Sequence, residues 1–138
     1  MTTITAALVA LINGDATLTS LAPGKAWLDI APPPSKAPRP VMVVSLLQAP
    51  LDGETMACTT VVRRFGFAVS VEGTQAQATA VRSAAARLET LLHRVGWSAT
   101  GWTVERSAFV DVVERAAVDG DARLLTITGR LEVVAEKD

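Results

Sequence analysis

The chain has 138 residues, 20% of them charged and 49% hydrophobic, with a formal net charge of −1. This length predicts one domain over residues 1–138, and the near-neutral, interspersed charge excludes an overall basic footprint for nucleic acid. The scarcity of charge suggests that part of the surface is hidden in an assembly.

No apolar run approaches the ~18 residues of a membrane span. No Lys or Arg precedes Lys25, so the charged segment of a signal peptide is missing. Cys58 is the only cysteine, which precludes an internal disulfide and fits a reducing compartment. A soluble protein made in a cytoplasm, with no membrane partner, is the expectation.

In chain order, Ile4, Leu8, Leu11 and Ile12 form the stripe of a first helix, Thr3 to Asn13, which Thr2 or Thr3 can cap and Gly14 ends. Asp15 can cap a short helical turn carrying Leu18 and Leu21, stopped by Pro23-Gly24. Ala26-Ile30 suits a short strand. Ala31 to Pro40 holds five prolines and should run extended as a stiff connector. Val41 to Gln48 is nearly all apolar, as a central strand would be. Asp52-Gly53 marks a turn, so 41–48 and 58–71 should pair as a hairpin with an irregular tip at 49–57.

The organising stretch is Thr59 to Gly96. Val61, Phe65, Phe67, Val69 and Val71 alternate along a strand, and only Arg63 breaks the apolar row. Thr74 and Gln77 have capping-box spacing. Val81, Ala85, Leu88, Leu92 and Val95 then recur at helical steps, with Gly96 as a natural C′ residue. Beyond it, Gly101-Ser107 reads as a strand and Ala108-Val118 suits either a strand or a helical turn. Asp119-Gly120-Asp121 marks a turn, and Arg123-Val134 alternates as a last strand, antiparallel to its neighbour. The predicted class is α+β: a mixed, mainly antiparallel sheet of about four to five strands, packed by a long helix (about 74–95) and an N-terminal helix (about 3–13).

No catalytic, cofactor or metal site is predicted. His93, the only histidine, lies off the apolar stripe near a helix C-terminus, whose dipole explains it without catalysis. Cys58 has no histidine or helix N-terminus nearby in sequence to activate it. One Cys and one His cannot make a zinc site, and Gly53, Gly66, Gly73, Gly96, Gly101, Gly120 and Gly129 are isolated, so no phosphate loop is formed. Asp111 and Glu114 read as solvated surface charge. Trp97 and Trp102 suit a core or an interface.

The Ala-Leu-rich first helix, Asp15-Ala16 with Leu18 and Leu21, Gly24, Trp27, Ala31-Pro32, and Pro40 leading into Val41-Met42-Val43-Val44 resemble the tail-terminator (tail-completion) proteins of long-tailed bacteriophages. A strand around Phe67-Val69, an Ala-rich helix ending at Leu88 and Leu92, and a final strand after an Asp/Gly turn continue the likeness over nearly the whole chain. The resemblance implies a structural, non-enzymatic virion protein at the tail–neck junction. It would form a six-membered ring on the last tube ring, stop tube growth and offer a surface to the head-side connector or stopper. Genome DNA would pass through the lumen unbound, which a near-neutral charge suits. Another neck ring or minor tail component is the runner-up, and a small non-viral binding domain follows. The candidate interface is the hairpin tip (Leu51, Asp52, Gly53, Glu54, Thr55 and Met56) with the basic pair Arg63 and Arg64, and the 31–40 connector beside it.

Overall fold

The apolar stripe of the first predicted helix is fully buried at Ile4, Leu8 and Ile12 in α1 (Thr3–Asn13). The computed structural model describes residues 3–48, 61–119 and 122–138. Asp15 caps α2 (Ala16–Leu21), its Oδ1 accepting from the Leu18 N–H at 2.9 Å. β1 (Ala26–Leu28) is two residues shorter than the Ala26-Ile30 reading, because Asp29 turns to φ 62° and leaves the extended region.

Residues 31–40 form neither helix nor strand, as their prolines require. They do not run extended throughout: the chain turns at 34–36, where the Lys36 and Ala37 N–H groups donate to the Pro33 carbonyl (2.8 and 3.2 Å). Arg39 closes this connector on itself, donating to the carbonyls of Pro32 (2.8 Å) and Ala37 (3.1 Å), and Gln77 Nε2 ties it to the body by donating to the Arg39 carbonyl (2.9 Å). The Arg39–Pro40 peptide is cis. Gly24 lies so close beneath that a Cβ there would stand 2.2 Å from the Pro38 oxygen, and its own N–H donates to the Pro40 carbonyl. Only glycine fits that approach.

β2 (Val41–Gln48) pairs antiparallel with β3 (Val61–Thr74) from Val41↔Glu72 to Gln48↔Gly66, which is the predicted hairpin. β3 carries straight through Gly73 and Thr74 into a 3₁₀ turn (Gln75–Gln77) and then α3 (Ala78–Leu92). The capping box is present, with Gln77 Oε1 accepting from the Thr74 N–H at 3.0 Å, but it starts a 3₁₀ turn. The long helix is therefore shorter at both ends than 74–95. Val95 belongs to β4 (Val95–Ala99), and Arg94 takes the left-handed φ of 59° at the C′ place expected of Gly96.

β5 (Trp102–Asp119) and β6 (Ala122–Lys137) complete a sheet of order β1-β2-β3-β6-β5-β4, antiparallel except for the β1–β2 pair. Six strands stand where about four to five are predicted. The additional strand is β4, hidden in sequence by Gly96 and Gly101. The open question over Ala108-Val118 resolves as strand.

Phe65, Phe67, Val69 and Val71 of β3 and Leu125, Ile127, Leu131 and Val133 of β6 point to one face, onto Val81, Ala84, Leu88 and Leu92 of α3. Burying each such side chain contributes roughly 1.5–3 kcal/mol, which is what holds α3 on the sheet. α1 meets β1 and β2 from one edge of the strand order and β4 from the other, so the sheet curls around the helices.

Candidate functional site

Of the predicted interface, Leu51, Asp52, Gly53, Glu54, Thr55 and Met56 lie outside the described residues, as do Cys58 and the turn residues Gly120 and Asp121. Arg63 and Arg64 are described, and the alternation of β3 sends them to opposite faces of the sheet. Arg63 shares the row of Phe65 and Phe67 and is partly buried. Arg64 points to the helix-free face, where its side chain is 78% exposed and stands 3.6 Å from Glu132. The two do not form one basic patch. Arg64 borders an open concavity of about 430 Å³ with Leu47, Gln48, Val110, Arg130 and Glu132.

The junction of α3, β4 and β5 is a polar knot inside the core. The Ser107 hydroxyl is fully buried and donates to the Leu92 carbonyl, one of those left without a partner as α3 ends. The same oxygen accepts from Trp97 Nε1 at 3.1 Å. His93 Nδ1 accepts from the Phe109 N–H at 3.0 Å, closing the outer edge of β5 where β4 stops. The single histidine is thus bound to a backbone group of β5, which a helix-dipole reading does not foresee. Phe109 lies over Gly129, where a Cβ would come within 2.7 Å of its ring.

Asp111 and Glu114 are each paired with an arginine, on opposite faces of β5. Glu114 is 2.8 Å from Arg82 of α3, and Asp111 is 3.4 Å from Arg130 of β6 on the helix-free face. All four side chains are about half exposed or more, so these are solvated pairs, screened by water and salt. Among the described residues no three His, Cys, Asp or Glu side chains gather at metal-binding distance. No described helix is long and apolar enough to cross a membrane. A more buried ion pair among the described residues is Asp15–Arg87, at 2.7 Å, and hydrogen bonding from Arg87 holds the Asp15 carboxyl below its usual range.

The surface feature that sequence reading passes over is the outer edge of β5. β4 pairs with it only up to Ser107. From Val110 to Val118 nothing among the described residues pairs with that edge, and Val110, Val112, Val113 and Val118 are 44–72% exposed. A long apolar edge of this kind is a template for another strand. The signal lay in the valines of the segment left open between strand and helix.

A second exposed apolar group, Trp27, Leu28 and Ile30, lies at the opposite edge around β1. The described surface therefore offers strand edges and sheet faces, and no enclosed cleft with converging polar groups.

No protein-family profile matches the chain, and no curated protein sequence matches it. Among solved structures, the chain is similar to one described as "Virion of native gene transfer agent (GTA) particle", with a TM-score of 0.65 and 21% identity over 96% of this chain and 95% of that one. At that identity the likeness is one of fold.

Proposed function

We propose that this chain is a structural virion protein of a phage-like particle, and within it a tail terminator: a ring-forming subunit that caps the tail tube and joins it to the head-side connector. The observation that carries this is the shared fold with a chain of a gene transfer agent virion, end to end on both chains. The sequence pattern of tail-completion proteins from Ala6 to Val44 supports it independently. A ring subunit works through its edges and faces and needs no catalytic group, cofactor or metal. Its hole must pass DNA without gripping it, and a net charge of −1 suits that.

A second reading, another neck ring such as an adaptor or stopper, is favoured by the same likeness, since the matched chain is described only by its particle. In either reading Leu51–Met56 and Arg64 are the proposed contacts to a neighbouring subunit or to the tube. Arg64 qualifies through its exposure beside the open concavity, whereas Arg63 is partly buried on the other face.

The test is electron microscopy of the purified protein with its tail tubes and, separately, with portal-filled heads. Sixfold rings capping one tube end are the expected result. Binding to heads alone would move the protein to the adaptor or stopper position, and binding to neither would overturn the virion role.

A further inference from the structure

We propose that the outer edge of β5 pairs with the same edge of a second copy of this chain, antiparallel about a two-fold axis through Val113. This contact lies outside the ring reading and stands whether or not the protein caps tails.

Among the described residues the edge is open from Val110 onward, bounded at its start by the His93–Phe109 hydrogen bond and at its end by the last residues of β5. Register against β6 puts Asp111, Val113 and Arg115 on the helix-free face and Val112, Glu114 and Val118 on the helix face. An antiparallel two-fold pairing places each residue opposite one of the same face.

Charge then selects among the registers. Centred on Val113, Asp111 stands opposite the partner's Arg115, Arg115 opposite the partner's Asp111, and Val113 opposite the partner's Val113. Opposite-charge and branched pairs of this kind stabilise a ladder, whereas like charges directly opposite destabilise it. Centring on Glu114 or Arg115 sets like charges face to face, and centring on Val112 leaves Asp111 and Arg115 both opposite uncharged residues. Centring on Val113 pairs those two charges and sets Val112 opposite Glu114, whose ion pair with Arg82 lies within its own chain.

Arg115 is exposed and has no ion-pair partner among the described residues. In the paired state the partner's Asp111 supplies one. Asp111, Val113, Arg115, Thr126, Thr128 and Arg130 line an open groove of about 410 Å³ over this register, so the paired side chains have room on the helix-free face. The pairing also removes from water an edge that would otherwise recruit strands indiscriminately.

The test is sedimentation equilibrium on the full chain, on Arg115→Asp, on Asp111→Arg, and on the double variant. A dimer is expected for the native protein, weakened at least tenfold in either single variant and regained in part in the double variant, where the charges across the axis are exchanged while Arg130 stays beside position 111. Both substituted residues, Asp111 and Arg115, are on the exposed surface, and circular dichroism checks that each variant is folded. In a Cys58→Ser background, Val113→Cys should form an intermolecular disulfide under mild oxidation.

A native protein that stays monomeric at high concentration would overturn the proposal, as would a dimer indifferent to Arg115→Asp. Hydrogen exchange adds the remaining arm: protection of 111–115 only when tail tubes are added would assign the edge to the tube protein and overturn the two-fold pairing. Tail capping is scored separately, so failure of the dimer leaves the terminator reading intact and the reverse.

Discussion

Arg87 of α3 and Asp15, at the start of α2, meet at 2.7 Å, while the other oxygen of the same carboxylate accepts the Leu18 N–H. One side chain therefore caps a helix and anchors it to a second. Asp15→Ala removes both functions, and loss of the cap alone should cost roughly 0.5–2 kcal/mol. Asp15→Asn keeps an acceptor for Leu18 and should cost less. Urea unfolding of the three proteins gives the order, and an Asn variant as damaged as Ala would show that the cap contributes little.

The same pair sets an acid dependence. Hydrogen bonding from Arg87 lowers the Asp15 pKa in the folded state, so the unfolded chain takes up its proton first as pH falls. The stabilisation is fully present above the unfolded value, about 3.9, and is lost as pH drops through the folded value. The stability gap between the native protein and Asp15→Asn should thus be constant near neutral pH and close below about pH 3–4. Thermal melts across that range measure it; a gap unchanged in acid would remove Asp15 as its source.

Ser107→Ala should destabilise by roughly 1–3 kcal/mol, because it leaves the Leu92 carbonyl and the Trp97 indole N–H without their buried partner. Tryptophan fluorescence during urea unfolding reports both the midpoint and the environment of Trp97. A loss below half a kilocalorie would mean that water replaces the hydroxyl.

Gly129→Ala should cost about 1–3 kcal/mol by driving a methyl into the Phe109 ring. The clash is with a side chain, so Phe109→Leu in the same chain should recover part of the loss. A double-mutant cycle checks this; strict additivity would locate the strain in the β6 backbone.

Arg64→Ala should leave stability within about half a kilocalorie, since its pair with Glu132 is solvent-exposed. The proposed interface role predicts weaker ring formation or tail capping in that variant, and likewise on deleting Asp52–Thr55. Unchanged assembly in both would discard the contacts assigned to these residues.

What was legible in the sequence follows from periodicity. The alternation Phe65-Phe67-Val69-Val71 and the steps Val81-Leu88-Leu92 each encode one buried face, and both are present as read. The cap at Asp15 and the exclusion of helix and strand by the prolines of 31–40 act within a few residues, so they too could be read locally, whereas the turn at 34–36 was not. β4 could not: its five residues contain Gly96 and bury little, and they are strand only because β5 lies beside them. The end of α3 was misplaced for a related reason. It depends on Ser107, 15 residues from Leu92 in sequence. The open β5 edge was invisible because exposure is a property of which strands fail to pair, which no local pattern records.

The central seam of the sheet also sets a tempo. β3 and β6 are joined from Val61↔Lys137 to Thr74↔Leu124, so each pair closes a loop of 50 residues or more, while β5 and β6 meet across their own turn. The β5–β6 ribbon can zip in ~1–10 μs. The seam must first overcome a large loop-closure entropy, which places folding of such non-local sheets in the millisecond-to-second range. Refolding should therefore show early β signal from the ribbon and late burial of Phe67, with stopped-flow circular dichroism leading the formation of the core.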